Sequence, residues 1–227
     1  DESVARDREG IEQVDLLLRE EGISHRGRFH TIENTTSLPR PTQRPRPKFY
    51  VAALNTPESF EYAGRMGYSV MAIAFVAAKM RPLLAAYRQA WKGAGHPGEG
   101  EVMIAFHMFC DPDGERARRV AAPLIDNYLH SLVDAASDWL DGRISQDYPG
   151  YDKIIAGLRA SNAADQMTTG AAWIGTPDEI ARTVATMQED FGGFEHASLQ
   201  VNFNLMHFED AMASLRLFAR EVMPRFV

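Results

Sequence analysis

The chain has 227 residues, 45% of them hydrophobic, and its formal net charge of −7 argues against a nucleic-acid surface, because phosphate binding needs clustered Lys and Arg. Its single cysteine, Cys110, excludes an intrachain disulfide framework and a cysteine-based metal site. No apolar run approaches the roughly 20 residues of a membrane helix. We therefore expect a cytoplasmic protein with no nucleic-acid or membrane partner.

The first 48 residues are predicted to form one helix and a proline-rich lead-in. Apolar residues between Val4 and Leu18 share one face of a helix that ends before Gly22. Four prolines lie between Pro39 and Pro47, which excludes a helix or a central strand there. The basic residues of this run are interpreted as part of an extended connector: Arg40, Arg44, Arg46 and Lys48.

Strand and helix patterns alternate from residue 49 onward. Periodicity and turn residues predict strands at 49–54, 69–75, 101–110 and 196–204. They predict helices at 57–65, 77–94, 115–140 (with Pro123 as a candidate break), 151–160, 177–189 and 208–222. The order predicts an α/β fold built from parallel βα units, whose ligand-facing residues lie at the carboxyl ends of the strands.

The turn after the first of these strands has the composition of a helix start. Thr56 takes the N-cap position, Pro57 the first helical position and Glu58 the first turn. Free backbone N–H groups at such a junction can bind an anion. The alternative interpretation is an ordinary well-capped βα turn.

Several segments, in order along nearly the whole chain, resemble the second half of a bacterial luciferase-like flavin-dependent monooxygenase. They are Gly27–His30, Pro39–Pro45, Phe49–Gly67, Ile174–Ile180 (in which Thr176 and Glu179 have capping-box spacing) and Ser214–Pro224. The resemblance implies a (β/α)8 TIM barrel, of which about four βα units are evident in this chain. Residues 1–227 would then be a single luciferase-like domain portion, with the lead-in at 1–48 and the βα units at 49–227.

The same resemblance implies an enzyme that uses reduced FMN and O2 to oxidise a small organic substrate, with a separate flavin reductase as partner. Two alternatives stay open: an F420-dependent oxidoreductase on the same fold, and a non-catalytic half-barrel that binds flavin or a partner. Half a barrel leaves sheet edges unpaired and one sheet face uncovered. We therefore expect completion by an N-terminal half, which would hold most catalytic residues, or a homo-oligomer.

Carried over position by position, the resemblance assigns the flavin phosphate to Asn55, Thr56 and Ser59. Phe75, at the end of the second strand, is a candidate for the flavin or substrate pocket, with core packing as the alternative. His107 lies within an apolar strand and is a candidate general base. The alternative for His107 is a core histidine with satisfied hydrogen bonds.

Polar residues also follow the last strand. Asn202, Asn204 and His207 are candidates for hydrogen bonds to the substrate, or for closing a turn. Cys110 is expected to be a buried apolar residue, since no adjacent base would activate it. No histidine pair has metal-ligand spacing, so no metal site is expected.

Overall fold

The computed structural model describes residues 2–139 and 150–226. Within these ranges the chain forms two compact units, one within residues 2–49 and the other within residues 50–139 and 150–226. The first unit contains α1 (Ser3–Arg19) and an antiparallel hairpin of β1 (Ile23–Arg26) and β2 (Thr31–Thr35). The hairpin was not predicted, because its strands are short and largely polar.

Half-buried charged side chains hold the first unit together. The carboxylate of Glu9 on α1 accepts three backbone N–H groups of the hairpin turn, those of residues 28–30. The guanidinium of Arg40 donates to the carbonyls of Leu17 (2.6 Å) and Leu18 (3.0 Å), which α1 leaves unpaired at its end. The proline-rich run has neither helix nor strand, as predicted, and its arginine thus serves as a cap for α1.

The second unit is a five-stranded parallel sheet with helices. Its strands are β3 (Tyr50–Ala52), β4 (Ser69–Ile73), β5 (Val102–Cys110), β6 (Ala172–Gly175) and β7 (His196–Gln200). Its helices are α2 (Pro57–Met66), α3 (Ala77–Gly93), α4 (Gly114–Ala135), α5 (Tyr151–Arg159), α6 (Ala163–Thr168), α7 (Pro177–Phe191) and α8 (Phe208–Glu221). The predicted α/β fold with parallel strands is confirmed.

Strand β5 uses both of its edges. Backbone groups of its odd-numbered positions point to one edge, where the Glu101 carbonyl accepts from Val70 and the His107 N–H donates to Ala171. Even-numbered positions point to the other edge, where the Val102 carbonyl accepts from Glu195. Strands β4 and β6 therefore follow each other along one edge of β5, and β7 pairs with the opposite edge.

The two faces of the sheet differ in burial. Residues paired in parallel register share a face, and on one face Val70, Ile104 and Phe106 are buried. On the other face Met71 and Ile73 are 38% and 37% exposed. The sheet thus presents apolar side chains to solvent along β4, which pairs with the amino-terminal half of β5.

Helix α4 runs unbroken through Pro123, so the predicted break at this residue is wrong. Proline removes one helical hydrogen bond and costs about 3 kcal/mol. The residues that face the core on both sides of it offset this cost, because they form one continuous buried stripe: Ala117, Ala121, Ile125, Leu129 and Val133. The last predicted residue of this helix, Leu140, lies outside the described residues.

Among the helices within 2–139 and 150–226, none combines the length and apolarity that a membrane span requires.

Gly64 sets the distance between α2 and α3. A Cβ atom at this position would lie 2.4 Å from the Tyr87 carbonyl oxygen and 2.9 Å from the Ala90 Cβ. We predict that Gly64→Ala lowers the free energy of unfolding by about 1–3 kcal/mol, the usual cost of overpacking, as measured by urea unfolding. Gly157→Ala is the matched control: α5 has open space there, so alanine should stabilise the helix. Equal effects of the two substitutions would contradict this account.

Candidate functional site

The turn between β3 and α2 brings two hydroxyl groups together at a helix start. Thr56 is the N-cap residue of α2 and Pro57 follows at the first helical position, yet the Thr56 side chain makes no capping hydrogen bond. Its Oγ1 instead lies 2.8 Å from the Oγ of Ser59. Both hydroxyls therefore lie at the start of α2 without capping it, while the Ser59 N–H donates to the Thr56 carbonyl oxygen at 3.1 Å.

The turn between β6 and α7 begins with the same two residue types and shows the contrast. The Thr176 hydroxyl accepts the N–H of Glu179 (3.3 Å), and the Glu179 carboxylate accepts the N–H of Thr176 (2.7 Å), which completes the predicted capping box. The Thr176 N–H holds the pKa of Glu179 below its usual value. A built-in carboxylate thus occupies the start of α7, whereas Ser59 at the equivalent position of α2 brings no charge.

A lysine from the next helix along the sheet contacts Asn55, the residue before the Thr56 N-cap. Lys79 lies in the first turn of α3, which follows β4, and its Nζ donates to Asn55 Oδ1 at 3.3 Å. Since β3 and β4 are parallel neighbours, their following helices start side by side. Sequence reasoning missed Lys79, and the adjacency of these two strands is the signal that would have found it.

The residues around Asn55 are suited to a phosphate group. Two hydroxyls lie at the start of a ten-residue helix, and the adjacent Asn55 holds an ammonium group; each of these groups favours an anion. A nucleotide-type phosphate supplies oxygens that accept from all three.

His107 lies on the partly exposed face of the sheet, near the carboxyl end of β5. Its side chain is 2% exposed, and three rings contact it: Phe75 (centroids 6.4 Å apart), Tyr128 (4.7 Å) and Phe203 (5.1 Å). Its Nε2 atom is buried and has no hydrogen-bond partner among the described residues. The interpretation of His107 as a core histidine with satisfied hydrogen bonds is therefore not what the described part of the chain shows.

Burial lowers the pKa of His107 to about 4, so that its imidazole is neutral at physiological pH. The structure also brings Phe75, the other predicted pocket residue, into contact with this histidine. Phe75 follows β4 and Asn55 follows β3, so the two sequence-predicted groups lie at the carboxyl ends of adjacent parallel strands.

Of the polar residues after β7, Asn204 bonds within its own loop, and the His207 side chain makes no capping hydrogen bond. Asn204 has a positive φ of 53° and its Oδ1 accepts from the Leu205 N–H at 2.8 Å, while His207 is the N-cap residue of α8. Cys110 is buried and its pKa is raised to about 12 by burial, as expected for an unreactive thiol. In the part of the chain that the structure describes, no three metal-ligating side chains cluster.

Comparison with known proteins adds the family. The model of the luciferase-like monooxygenases matches residues 1–193. The chain belongs to the luciferase-like monooxygenase family. The partial parallel sheet with its helices is accordingly part of a (β/α)8 TIM barrel, as the resemblance implied.

Individual relatives are similar over nearly the whole chain. The oxygenase component of the flavin-dependent trigonelline monooxygenase of Acinetobacter baylyi is 25% identical over 222 residues, which cover 89% of this chain and 55% of that protein. The monooxygenase RslO1 of Streptomyces bottropensis superimposes with a TM-score of 0.75 at 29% identity, over 100% of this chain and 63% of that one.

A third relative was solved with FMN bound. The oxygenating constituent of the 3,6-diketocamphane monooxygenase of Pseudomonas putida superimposes with a TM-score of 0.69 at 16% identity, over 97% of this chain and 62% of that one. At this identity the likeness concerns the fold. The chain thus spans about three fifths of the length of the proteins it matches.

The buried imidazole makes a prediction for stability. The pKa of His107 is about 4 in the folded protein against 6.5 for a free histidine side chain. The folded state therefore favours the neutral imidazole. This contribution is fully present above pH 6.5 and is lost as the pH falls towards 4, by up to about 3 kcal/mol. Urea unfolding of the protein should show this loss, and His107→Gln should reduce the slope of stability against pH between these values.

The exposed His130 on α4 provides the control for this measurement. His130→Gln leaves His107 intact and should preserve the slope. A slope that survives His107→Gln unchanged would contradict a buried neutral imidazole.

Proposed function

We propose that this chain is part of a two-component, FMN-dependent monooxygenase, which uses reduced FMN and O2 to oxidise a small organic substrate. A separate flavin reductase supplies the reduced FMN. Membership of the luciferase-like family supports an oxidoreductase. The A. baylyi relative is named as a flavin-dependent oxygenase component, which supports both the flavin and the reductase partner.

The observation that carries the proposal is the open turn at Thr56. In the proposed complex, the phosphate end of FMN accepts hydrogen bonds from Thr56, Ser59 and the first-turn N–H groups of α2, and Lys79 balances its charge. Asn55 holds the lysine through its side-chain oxygen. The residues of this chain therefore bind and orient the tail of the cofactor, whose reduced ring, when bound, supplies the electrons that activate O2.

The exposed half of the sheet supports a further part of the proposal, namely that the remaining length of the enzyme completes the barrel. The apolar face at Met71 and Ile73 is open to solvent. Among the described strands, β3 pairs only with β4 and β7 pairs only with β5, so each leaves one edge unpaired. Closing a barrel pairs such edges and covers such a face. Residues that contact the reacting ring of the flavin would then come from both halves.

The phosphate site can be tested with two flavins that differ only in the phosphate. We predict that Thr56→Ala combined with Ser59→Ala weakens FMN binding by about tenfold, since two charge-assisted hydrogen bonds are lost. Riboflavin, which lacks the phosphate, should bind to the wild type and to the variant equally. Fluorescence titration of the oxidised flavins measures both affinities.

The second threonine–proline turn supplies the control variant for this titration. Thr176→Ala removes a capping hydrogen bond and should cost about 1 kcal/mol of stability while leaving FMN affinity unchanged. FMN binding that is equally strong in wild type and in the Thr56→Ala, Ser59→Ala variant would refute the phosphate site.

The cofactor and the reaction are tested by turnover. The protein should consume O2 with chemically reduced FMN and should show no hydride transfer to or from F420. Tight binding of F420 without turnover of reduced FMN would favour the F420-dependent oxidoreductase. Flavin binding without O2 consumption, in the protein with its complete barrel, would favour the non-catalytic alternative.

A further inference from the structure

We propose that His107 is a substrate-binding residue: its Nε2 atom hydrogen-bonds to a hydroxyl or carbonyl oxygen of an uncharged, aromatic substrate held among Phe75, Tyr128 and Phe203. That this ligand is the substrate of the enzyme rests on the proposed function. The binding site itself rests on the surroundings of this one imidazole.

His107 has a nitrogen atom, Nε2, whose hydrogen-bonding capacity is unused among the described residues. A buried polar atom without a partner costs about 1–3 kcal/mol, and native proteins leave few such atoms. Nε2 of His107 is buried without a partner among the described residues. The rings of Phe75, Tyr128 and Phe203 have centroids 4.7–6.4 Å from that of His107, and none of these side chains, the Tyr128 hydroxyl included, hydrogen-bonds to Nε2. A bound ligand with a polar group would satisfy this nitrogen.

The position of His107 in the fold also indicates a ligand site. His107 pairs in register with Gln200 of β7 and with Ala172 of β6, close to where these strands end or begin. Phe75 follows β4 and Phe203 follows β7, so loops from both neighbouring strands reach the same imidazole. In parallel α/β barrels, the loops at the carboxyl ends of the strands build the ligand site.

The chemistry of the surroundings selects the ligand. A neutral imidazole offers one donor and one acceptor, which suits a hydroxyl or a carbonyl group. Bringing a carboxylate or phosphate group next to three aromatic rings would require its desolvation without compensation. Flat aromatic ligands, in contrast, pack favourably against ring edges at centroid distances of about 4.5–7 Å. An uncharged aromatic molecule with one hydroxyl or carbonyl meets both conditions.

Two probes of similar shape test this assignment. 2-Naphthol carries a hydroxyl where 2-methylnaphthalene carries a methyl group, and both are uncharged at neutral pH. We expect the protein to bind 2-naphthol about tenfold more tightly, the effect of one buried hydrogen bond, as measured by equilibrium dialysis. His107→Phe should abolish the preference, whereas His107→Gln, which keeps a donor and an acceptor, should retain part of it. His130→Gln should leave it unchanged.

A measurement on the wild type avoids dependence on the folding of variants. With 15N-labelled histidine, the Nε2 resonance of His107 should shift on addition of 2-naphthol and stay in place with 2-methylnaphthalene. A preference that persists in His107→Phe, an Nε2 resonance that does not respond to 2-naphthol, or absence of binding of both probes to the wild type would each overturn the assignment. A preference for 2-naphthol without FMN binding would support the His107 site and contradict the proposed function. FMN turnover without that preference would support the proposed function and contradict the His107 site.

Discussion

Backbone hydrogen bonds along both edges of β5 hold the second unit together. The strand has nine residues, long enough for β4 and β6 to pair one after the other on one edge while β7 pairs on the opposite edge. This arrangement fixes the carboxyl ends of the parallel strands at one end of the sheet. On the partly exposed face of the sheet, His107 lies further towards the carboxyl end of β5, where Tyr128 and Phe203 cover it.

The two threonine–proline turns show how one side chain decides what a helix start can do. In α7 the carboxylate of Glu179 takes the place that an external anion would occupy, and the helix is capped within the chain. In α2 the equivalent Ser59 is neutral, the Thr56 hydroxyl makes no cap, and Lys79 brings a positive charge nearby. The same local backbone therefore has a structural role in one turn and the electrostatics of an anion site in the other.

Much of the fold could be predicted from sequence because its periodicity is local. The alternation of apolar strands with amphipathic helices specifies parallel units, and the Thr176–Glu179 capping box and the glycine stops specify several helix ends. Periodicity could not predict the contacts between residues that are far apart in the sequence. Lys79 reaches Asn55 only because β3 and β4 are neighbours, Tyr128 meets His107 only through the packing of α4, and Pro123 is tolerated only because α4 is buried on both sides of it. The side chains that contact the candidate residues, Lys79 and Tyr128, were therefore not predicted.

The central claim is that the turn after β3 holds the phosphate of a flavin. A crystal structure of the protein with bound FMN tests it most directly. We expect the phosphate oxygens to lie at hydrogen-bonding distance, about 2.7–3.2 Å, from the hydroxyls of Thr56 and Ser59, with the Lys79 ammonium beside them. A phosphate group bound elsewhere, with the Thr56 hydroxyl still paired to Ser59, would contradict it.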